Sequence, residues 1–282
     1  MRSVRLFYFF LVLAGSLCCT PGAFAQDLNH KNELQLQWGL RQYMRQDFLF
    51  SPMLYQGNSL LNARLNYRRQ RNSSIHLFGI SAGQYNMGSG PLYRYLEWRT
   101  LEEVDAIPTT FVLLDLHYAF LKTIHKGNKL TLSAGGILEN GTGAFFWGYG
   151  AQSFFGYTLT TGIGPVLQAR YALGAKHALE GSFSMPVLSW LARSPYAVND
   201  DEFIANQSSH STLTTLGNLY KDGSLVTIDK LQKLNWMLSY SLSLSERWSA
   251  AAVYQGEYFR FSAPRKVVAI RNELSLGITY HF

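Results

Sequence analysis

Cysteine is nearly absent from this chain. Its 282 residues include two cysteines, Cys18 and Cys19, and both lie close to the N-terminus. If that segment is removed during export, the remaining chain has no thiol, which excludes a disulfide, a thiolate nucleophile and a cysteine-ligated metal. The seven histidines show no metal-ligand spacing, and no glycine-rich stretch opens a helix as a phosphate-binding loop does. We therefore expect no metal and no other cofactor.

Long apolar runs are also scarce. After Leu17 no stretch approaches the roughly 20 apolar residues of a membrane-spanning helix, which excludes a helical membrane protein. Charge of one sign is weak as well, because a formal net charge of +7 is spread over scattered lysines and arginines. A nucleic-acid binder concentrates such residues in one stripe, so we expect no nucleic-acid partner.

The N-terminus has the three parts of a secretory signal peptide. Met1 to Arg5 is short and basic, Leu6 to Leu17 is apolar, and Ala23-Phe24-Ala25 offers small residues at the expected cleavage positions. The sequence predicts a signal peptide over residues 1–25 and one domain over residues 26–282.

The last nine residues alternate strictly between apolar and polar side chains. Leu274, Leu276, Ile278, Tyr280 and Phe282 share one face of the predicted strand, and small or polar residues share the other. This stretch resembles the C-terminal signal of Gram-negative outer-membrane β-barrels, with Tyr280 and Phe282 as its membrane-insertion residues. The resemblance implies a closed antiparallel transmembrane β-barrel in the outer membrane and recognition by the barrel-assembly machinery.

The same alternation recurs along the chain and predicts about ten strands. Such strands hide a membrane-facing surface in an unremarkable mean hydropathy, because only every second residue is apolar. The predicted strands are Asn32–Met44, Leu60–Arg69, Ile75–Tyr85, Thr110–Lys122, Lys129–Leu138, Tyr157–Leu173, His177–Val187, Leu234–Leu244, Trp248–Phe261 and Val268–Phe282. An open sheet edge would leave unpaired backbone groups in hydrocarbon, so the first and last strands are expected to pair.

Tight and longer connections alternate between the predicted strands, as expected for short periplasmic turns and long extracellular loops. The longer ones are predicted at Arg45–Ser59, Met87–Pro108, Asn140–Ser153, Leu188–Lys230 and Ser262–Val267. Leu188–Lys230 is by far the longest, and a further hairpin inside it would raise the strand count to twelve. Because binding usually resides on loops, its Trp190, Tyr196, Phe203 and Tyr220 are candidate residues for a partner protein.

Charged residues of both signs are predicted to face the lumen. They are Arg41, Arg64, Arg68, Asp115, Arg170, Glu180, Glu257, Arg271 and Glu273. In a ten-stranded barrel, side chains of this size fill the narrow bore by pairing, which favours a largely plugged lumen. Arginines and lysines at the membrane edge are expected to meet outer-membrane lipids and lipopolysaccharide.

Two patterns suggest enzymatic chemistry. Asp115 and His117 share the lumenal face of one strand, where a carboxylate could orient an imidazole, and Asp-x-His resembles one half of the site in the omptin proteases, which are ten-stranded barrels. His210-Ser211 invites comparison with outer-membrane esterases, although it lies in a polar loop without an oxyanion donor. The sequence favours a surface-loop binding or assembly role, with a narrow solute channel and an omptin-like or lipid-modifying enzyme as alternatives.

Overall fold

The computed structural model describes residues 31–88, 94–97, 99–195 and 211–282. The predicted signal peptide lies outside this part of the chain. The strands are β1 (Asn32–Asp47), β2 (Ser51–Ser59), β3 (Asn62–Arg71), β4 (Ser74–Met87), β5 (Arg94–Leu96), β6 (Glu103–Asp105), β7 (Thr109–Lys126), β8 (Leu130–Tyr149), β9 (Gln152–Ala172), β10 (His177–Ser184), β11 (Leu188–Arg193), β12 (Ser224–Thr227), β13 (Leu231–Ser243), β14 (Trp248–Phe261) and β15 (Val267–His281). Helix α1 (Thr212–Lys221) begins after Ser211, whose side chain accepts a hydrogen bond from the Thr214 amide. Within these residues no helix is both long and apolar enough to cross a membrane.

The sheet closes into a barrel whose wall has ten positions, which we call staves. β1 pairs with β15, with Leu36 opposite Ile278, and β9 pairs with β10 to complete the ring. Three staves consist of two consecutive strands each, β2 with β3, β10 with β11 and β12 with β13. The predicted ten-stranded antiparallel barrel is therefore confirmed, and β11 and β12 lengthen existing staves instead of raising the count to twelve.

Several strands extend beyond the predicted bounds. The predicted loops Arg45–Ser59 and Asn140–Ser153 are wrong, because β1 and β2 pair up to a turn at 48–50, and β8 and β9 pair up to a turn at 150–151. The connections at 88–108 and 194–223 remain long, and the first carries the small β5–β6 sheet. We call the barrel end with these connections extracellular and the opposite end, with its tight turns, periplasmic.

The outer face of the barrel carries a belt of exposed apolar side chains. Leu276 is 73% exposed, Trp38 62% and Ile278 58%, although each belongs to a well-paired strand. Exposure of this extent over contiguous strands marks the hydrocarbon-facing surface of a membrane barrel. Trp248, Tyr280 and Phe282 lie together at the periplasmic edge of the belt. The Tyr280 ring centroid is 4.9 Å from that of Trp248 and 5.8 Å from that of Phe282.

The lumenal face is layered along the barrel axis. Aromatic side chains fill the extracellular half, charged side chains cross the middle, and a cavity occupies the periplasmic half. On β4 the inward side chains include Ile75 and Leu77, whereas Phe78 faces outward and is 48% exposed. The charged side chains that could form a functional site therefore lie inside the lumen.

Candidate functional site

Five charged side chains from five different staves meet at mid-height in the lumen. Arg271 contacts Asp115 at 2.5 Å and Glu257 at 2.8 Å, and Lys233 contacts Glu139 at 2.6 Å and Glu257 at 3.5 Å. In the ring, the staves of Asp115 and Arg271 are four positions apart, so this ion pair spans the bore. The network cross-links the barrel from the inside and obstructs it at this level.

Further ion pairs lie on the periplasmic side of this network. Glu273 contacts Arg41 at 2.7 Å and Arg64 at 3.5 Å, so two guanidinium groups share one carboxylate. Arg68 reaches across to Glu180 at 2.9 Å, between staves on opposite sides of the ring. These pairs match the lumenal charges expected from the sequence.

Asp115 and His117 lie on the same lumenal face of β7, as expected, but they do not interact through a hydrogen bond. The Asp115 carboxylate accepts from Arg271 and from the Ser81 hydroxyl at 3.2 Å. The His117 ring lies over Gly79, where any side chain would overlap it. The carboxylate–imidazole pair expected from the positions of Asp115 and His117 is therefore not formed.

Aromatic side chains close the extracellular half of the lumen. Tyr85, Phe111, Phe145 and Trp147 are at most 1% exposed. The Phe111 ring centroid lies 4.8 Å from those of both Phe145 and Trp147, in edge-to-face geometry, and Phe50 stacks on Trp147 at 5.0 Å. We call this group the aromatic plug. Side chains packed as closely as these obstruct the bore at this level.

A buried ionic clasp fastens the extracellular rim above the plug. Asp47 pairs with Arg45 at 2.7 Å and with Arg193, and its other contact is the Leu49 amide at 3.2 Å. Arg193 also donates to the carbonyls of Ala263 and Arg265 in the β14–β15 turn. One carboxylate thereby ties together three parts of the rim.

The described part of the longest connection packs against the outside of the barrel. Leu219 of α1 is buried against the outward side chains Tyr157, Leu159 and Ala192. Tyr220 is hydrogen-bonded through its hydroxyl to Asn140, and its carbonyl accepts from the indole of Trp190 at 3.0 Å. α1 is therefore a brace on the wall and not a cap over the mouth.

The four candidate binding residues of this connection have different positions. Trp190 and Tyr220 are joined at the outer wall by the hydrogen bond just described. Tyr196 and Phe203 lie outside the described residues, as does His210. Their proposed binding role stays a prediction.

A cavity of about 260 Å³ occupies the periplasmic half of the lumen. Its lining begins at the ion-pair network and continues to Glu33, Thr279 and His281 near the periplasmic ends of β1 and β15. One side of the lining is apolar and the other side is charged. The apolar side comprises Leu77, Ala119, Leu121, Ile137 and Val166.

Several lumenal charges were missed by the sequence reasoning, namely Arg45, Asp47, Glu139, Arg193 and Lys233. Glu139 was the last residue before a predicted loop, yet the lumenal period-two pattern continues from it through Phe145 and Trp147. Extending the alternation through Gly141 and Gly143 would have assigned Glu139 to the lumen. Asp47 and Arg193 carried no such signal, because their pairing depends on strands far apart in sequence.

In the described part of the chain, no three His, Cys, Asp or Glu side chains are grouped as a metal site.

The predicted insertion residues lie at the barrel seam. The backbone of Phe282 exchanges two hydrogen bonds with Asn32, of 3.0 and 3.1 Å, and the Phe282 ring is 54% exposed. Tyr280 lies opposite Leu34 on the outer face. Their geometry suits a membrane-facing strand end, and their recognition by assembly machinery stays a prediction.

No protein-family model and no curated protein sequence matches the chain. Among solved structures, the chain is similar to the outer membrane protease OmpT from Escherichia coli, with a TM-score of 0.56 at 8% identity over 92% of this chain and 99% of that one. Weaker similarity is found to the translocator domain of autotransporter NalP from Neisseria meningitidis, with a TM-score of 0.44 at 10% identity over 99% and 96% of the two chains. At these identities the similarity concerns the fold alone. The chain folds as a closed ten-stranded antiparallel β-barrel of the outer-membrane type.

Proposed function

We propose that the protein is a closed, non-conducting outer-membrane barrel that acts as a binding or assembly component through its extracellular end. The aromatic plug is the observation that carries this proposal. It fills the extracellular half of the lumen, and the ion-pair network beneath it spans the bore. A solute channel would need a water path past the packed rings of the plug.

Conductance in planar bilayers tests the closed state. We expect no stepwise conductance from the full-length protein. Replacing Phe111 and Trp147 together by Ala should introduce a leak, because the change removes two of the largest buried lumenal rings. Phe146→Ala is the matched control, since Phe146 is an outward neighbour of the plug and is 43% exposed. Stepwise conductance from the unaltered protein would favour the narrow-channel alternative.

Exposed cations at one side of the extracellular rim support binding to lipopolysaccharide. On β14 the outward face passes from the aromatic Tyr258 to the exposed Arg260, which is the order expected at the edge of a membrane belt. Other exposed cations close to Arg260 are Lys230, which precedes Leu231 opposite Phe261, and Arg265 and Lys266 in the β14–β15 turn. We infer that these side chains meet the phosphates of lipopolysaccharide.

Binding of purified lipopolysaccharide at two salt concentrations tests this interaction. Changing Arg260, Arg265 and Lys266 together to Gln should weaken binding and reduce its salt dependence, because exposed charge pairs are screened by salt. The same number of changes at the periplasmic residues Lys122, Lys126 and Lys129 is the control. Equal losses in both variants would indicate a non-specific effect of net charge.

The loop role is tested by removing residues 197–223. We expect the barrel to stay folded and heat-modifiable, because the deletion leaves all ten staves in place. Lipopolysaccharide binding should persist, whereas binding to a protein partner on the cell surface should be lost. A trimmed barrel that retains every surface interaction of the parent would make this segment a passive connection.

A further inference from the structure

We propose that the periplasmic half of the lumen is a binding site for a single-chain amphiphile with a carboxylate head, which enters from the periplasm. The site is formed by the 260 Å³ cavity, with Arg64 and His117 at its inner end and the apolar lining between them and the periplasmic mouth. This inference goes beyond the closed-barrel proposal, since it concerns the opposite end of the lumen.

The inner end of the cavity has an unsatisfied capacity to bind an anion. Arg64 reaches its carboxylate partner Glu273 at only 3.5 Å, whereas Arg41 already holds the same oxygen at 2.7 Å. The buried Nε of Arg64 has no hydrogen-bond partner. A buried guanidinium donor without a partner is costly, and an anionic oxygen would satisfy it.

His117 lies beside this cation and is also available. The described residues form no hydrogen bond to its imidazole, which occupies the space left open by Gly79. The carboxylate that could have engaged it, Asp115, is held by Arg271. A ligand oxygen could therefore accept hydrogen bonds from Arg64 and His117 together.

The acidic residues of the lining do not reverse this preference. Glu180 is paired with Arg68 at 2.9 Å and accepts from Gln168 at 2.7 Å, and Glu139 is held by Lys233 at 2.6 Å. Glu33 faces His281 at the mouth. Asp115 and Glu257 are held by Arg271. At the inner end Arg41 and Arg64 share one oxygen of Glu273, whose other oxygen has no hydrogen-bond partner. Two guanidinium groups therefore face one carboxylate there, and an anion is the ligand that would complete the pairing of Arg64.

The apolar lining selects the rest of the ligand. From His117 the same face of β7 continues through Ala119 to Leu121, a distance of about 13 Å at the usual rise of an extended strand. Leu77, Ile137 and Val166 from the neighbouring staves complete this wall. A fully polar ligand would leave the wall in contact with polar groups, whereas a neutral apolar ligand would leave Arg64 unpaired.

Access is possible from one end only. The aromatic plug and the ion-pair network close the extracellular side, whereas the lining reaches the periplasmic ends of β1 and β15. Arg170, an inward residue near this end, is exposed. The ligand therefore binds with its carboxylate deep in the lumen and its chain towards the periplasm.

Titration of decanoate into the full-length protein held in amphipol tests the site. Calorimetry and the carbon-13 shift of carboxyl-labelled decanoate should both show saturable one-to-one binding. Decan-1-ol and decyltrimethylammonium, which share the chain but not the anionic head, should bind at least about tenfold more weakly, as expected for loss of a charge-assisted hydrogen bond.

Matched variants test the carboxylate-binding end and the apolar wall of the site separately. Arg64→Gln should weaken decanoate binding about tenfold or more, whereas Arg69→Gln, an exposed change on the same strand, should not. Ala119→Phe should fill the tail position and abolish binding, with the outward change Leu138→Phe as control. If Ala119→Phe does not fold, Ile137→Asn tests the same wall.

Three outcomes would overturn the proposal. They are no saturable decanoate binding to the parent, equal binding of the three decyl compounds, and unchanged binding by Arg64→Gln. Conductance is measured separately, so the absence of decanoate binding leaves the closed-barrel proposal intact. A parent protein that conducts and also binds decanoate would reject only the closed-barrel proposal.

Discussion

Removing Arg271 should destabilise the barrel strongly, because this residue holds two carboxylates in the lumen. Its guanidinium contacts Asp115 at 2.5 Å and Glu257 at 2.8 Å, and the three side chains are between 10% and 20% exposed. In Arg271→Met the Glu257 carboxylate keeps Lys233 at 3.5 Å, whereas Asp115 loses its ionic partner. Leaving one buried charge without its partner costs about 3–5 kcal/mol.

A second variant separates the charge from the packing. In Arg271→Met combined with Asp115→Asn, no unpaired carboxylate remains at that position, and the volume is nearly kept. We expect the double variant to regain at least half of the lost free energy of unfolding, since replacing a buried ion pair by neutral groups is often close to neutral. Arg170→Met is the control, because Arg170 faces the lumen but is exposed, and we expect a change within about 0.5 kcal/mol.

Equilibrium unfolding by urea in lipid vesicles measures these differences. Tryptophan fluorescence follows the transition, and heat modifiability on a gel verifies the folded state. A loss below about 1 kcal/mol for Arg271→Met, in the range of a surface ion pair, would mean that lumenal water screens the network. A double variant no more stable than the single variant would show that packing of the guanidinium, and not its charge, is important.

Three further predictions concern the wall and its brace. Phe282→Asp should lower the yield of barrel assembled in the membrane without changing synthesis, because it replaces the exposed terminal ring by a charge. Fractionation measures the yield, and an unchanged yield would argue against the insertion signal. Gly135→Val should disrupt pairing, since the new side chain would overlap a backbone carbonyl of the adjacent stave, whereas Gly174→Val, which meets open space, should fold normally; both are compared by heat modifiability. Tyr220→Phe should destabilise the docking of α1 by about 1 kcal/mol, seen as faster amide exchange in the helix, while the urea midpoint of the barrel stays unchanged. Equal exchange in both proteins would show that the apolar contacts of Leu219 hold the helix alone.

The outer face of the barrel could be predicted from the sequence because its signal is local. Leu34, Leu36 and Trp38 alternate with polar residues, and Leu274, Leu276 and Ile278 do the same at the other end of the chain. Side chains two residues apart lie on one face of any extended strand, so the pattern determines the face without knowledge of a partner. It also assigned Arg271, Asp115 and Glu273 to the lumen.

Strand ends were harder to predict for a physical reason. Asn140-Gly141-Thr142-Gly143 has the composition of a loop, yet the structure continues β8 through it to Tyr149. Small residues are favoured there by the crowded surroundings, where Gly143 lies against the Phe145 ring and Gly141 lies against the Thr160 hydroxyl. That crowding exists only after the barrel has closed.

The sequence by itself determined the alternation, and with it the membrane-facing surface and the polarity of the lumen. Only the tertiary structure decided which lumenal groups meet. Asp47 and Arg193 are 146 residues apart, and Arg41 lies 232 residues from Glu273. Their contacts depend on ring closure and on the register of each pair of staves, which no local pattern encodes. The same closure pairs Asp115 with Arg271 and leaves His117 facing the cavity, so the lumenal chemistry follows from the ring and not from the Asp-x-His spacing.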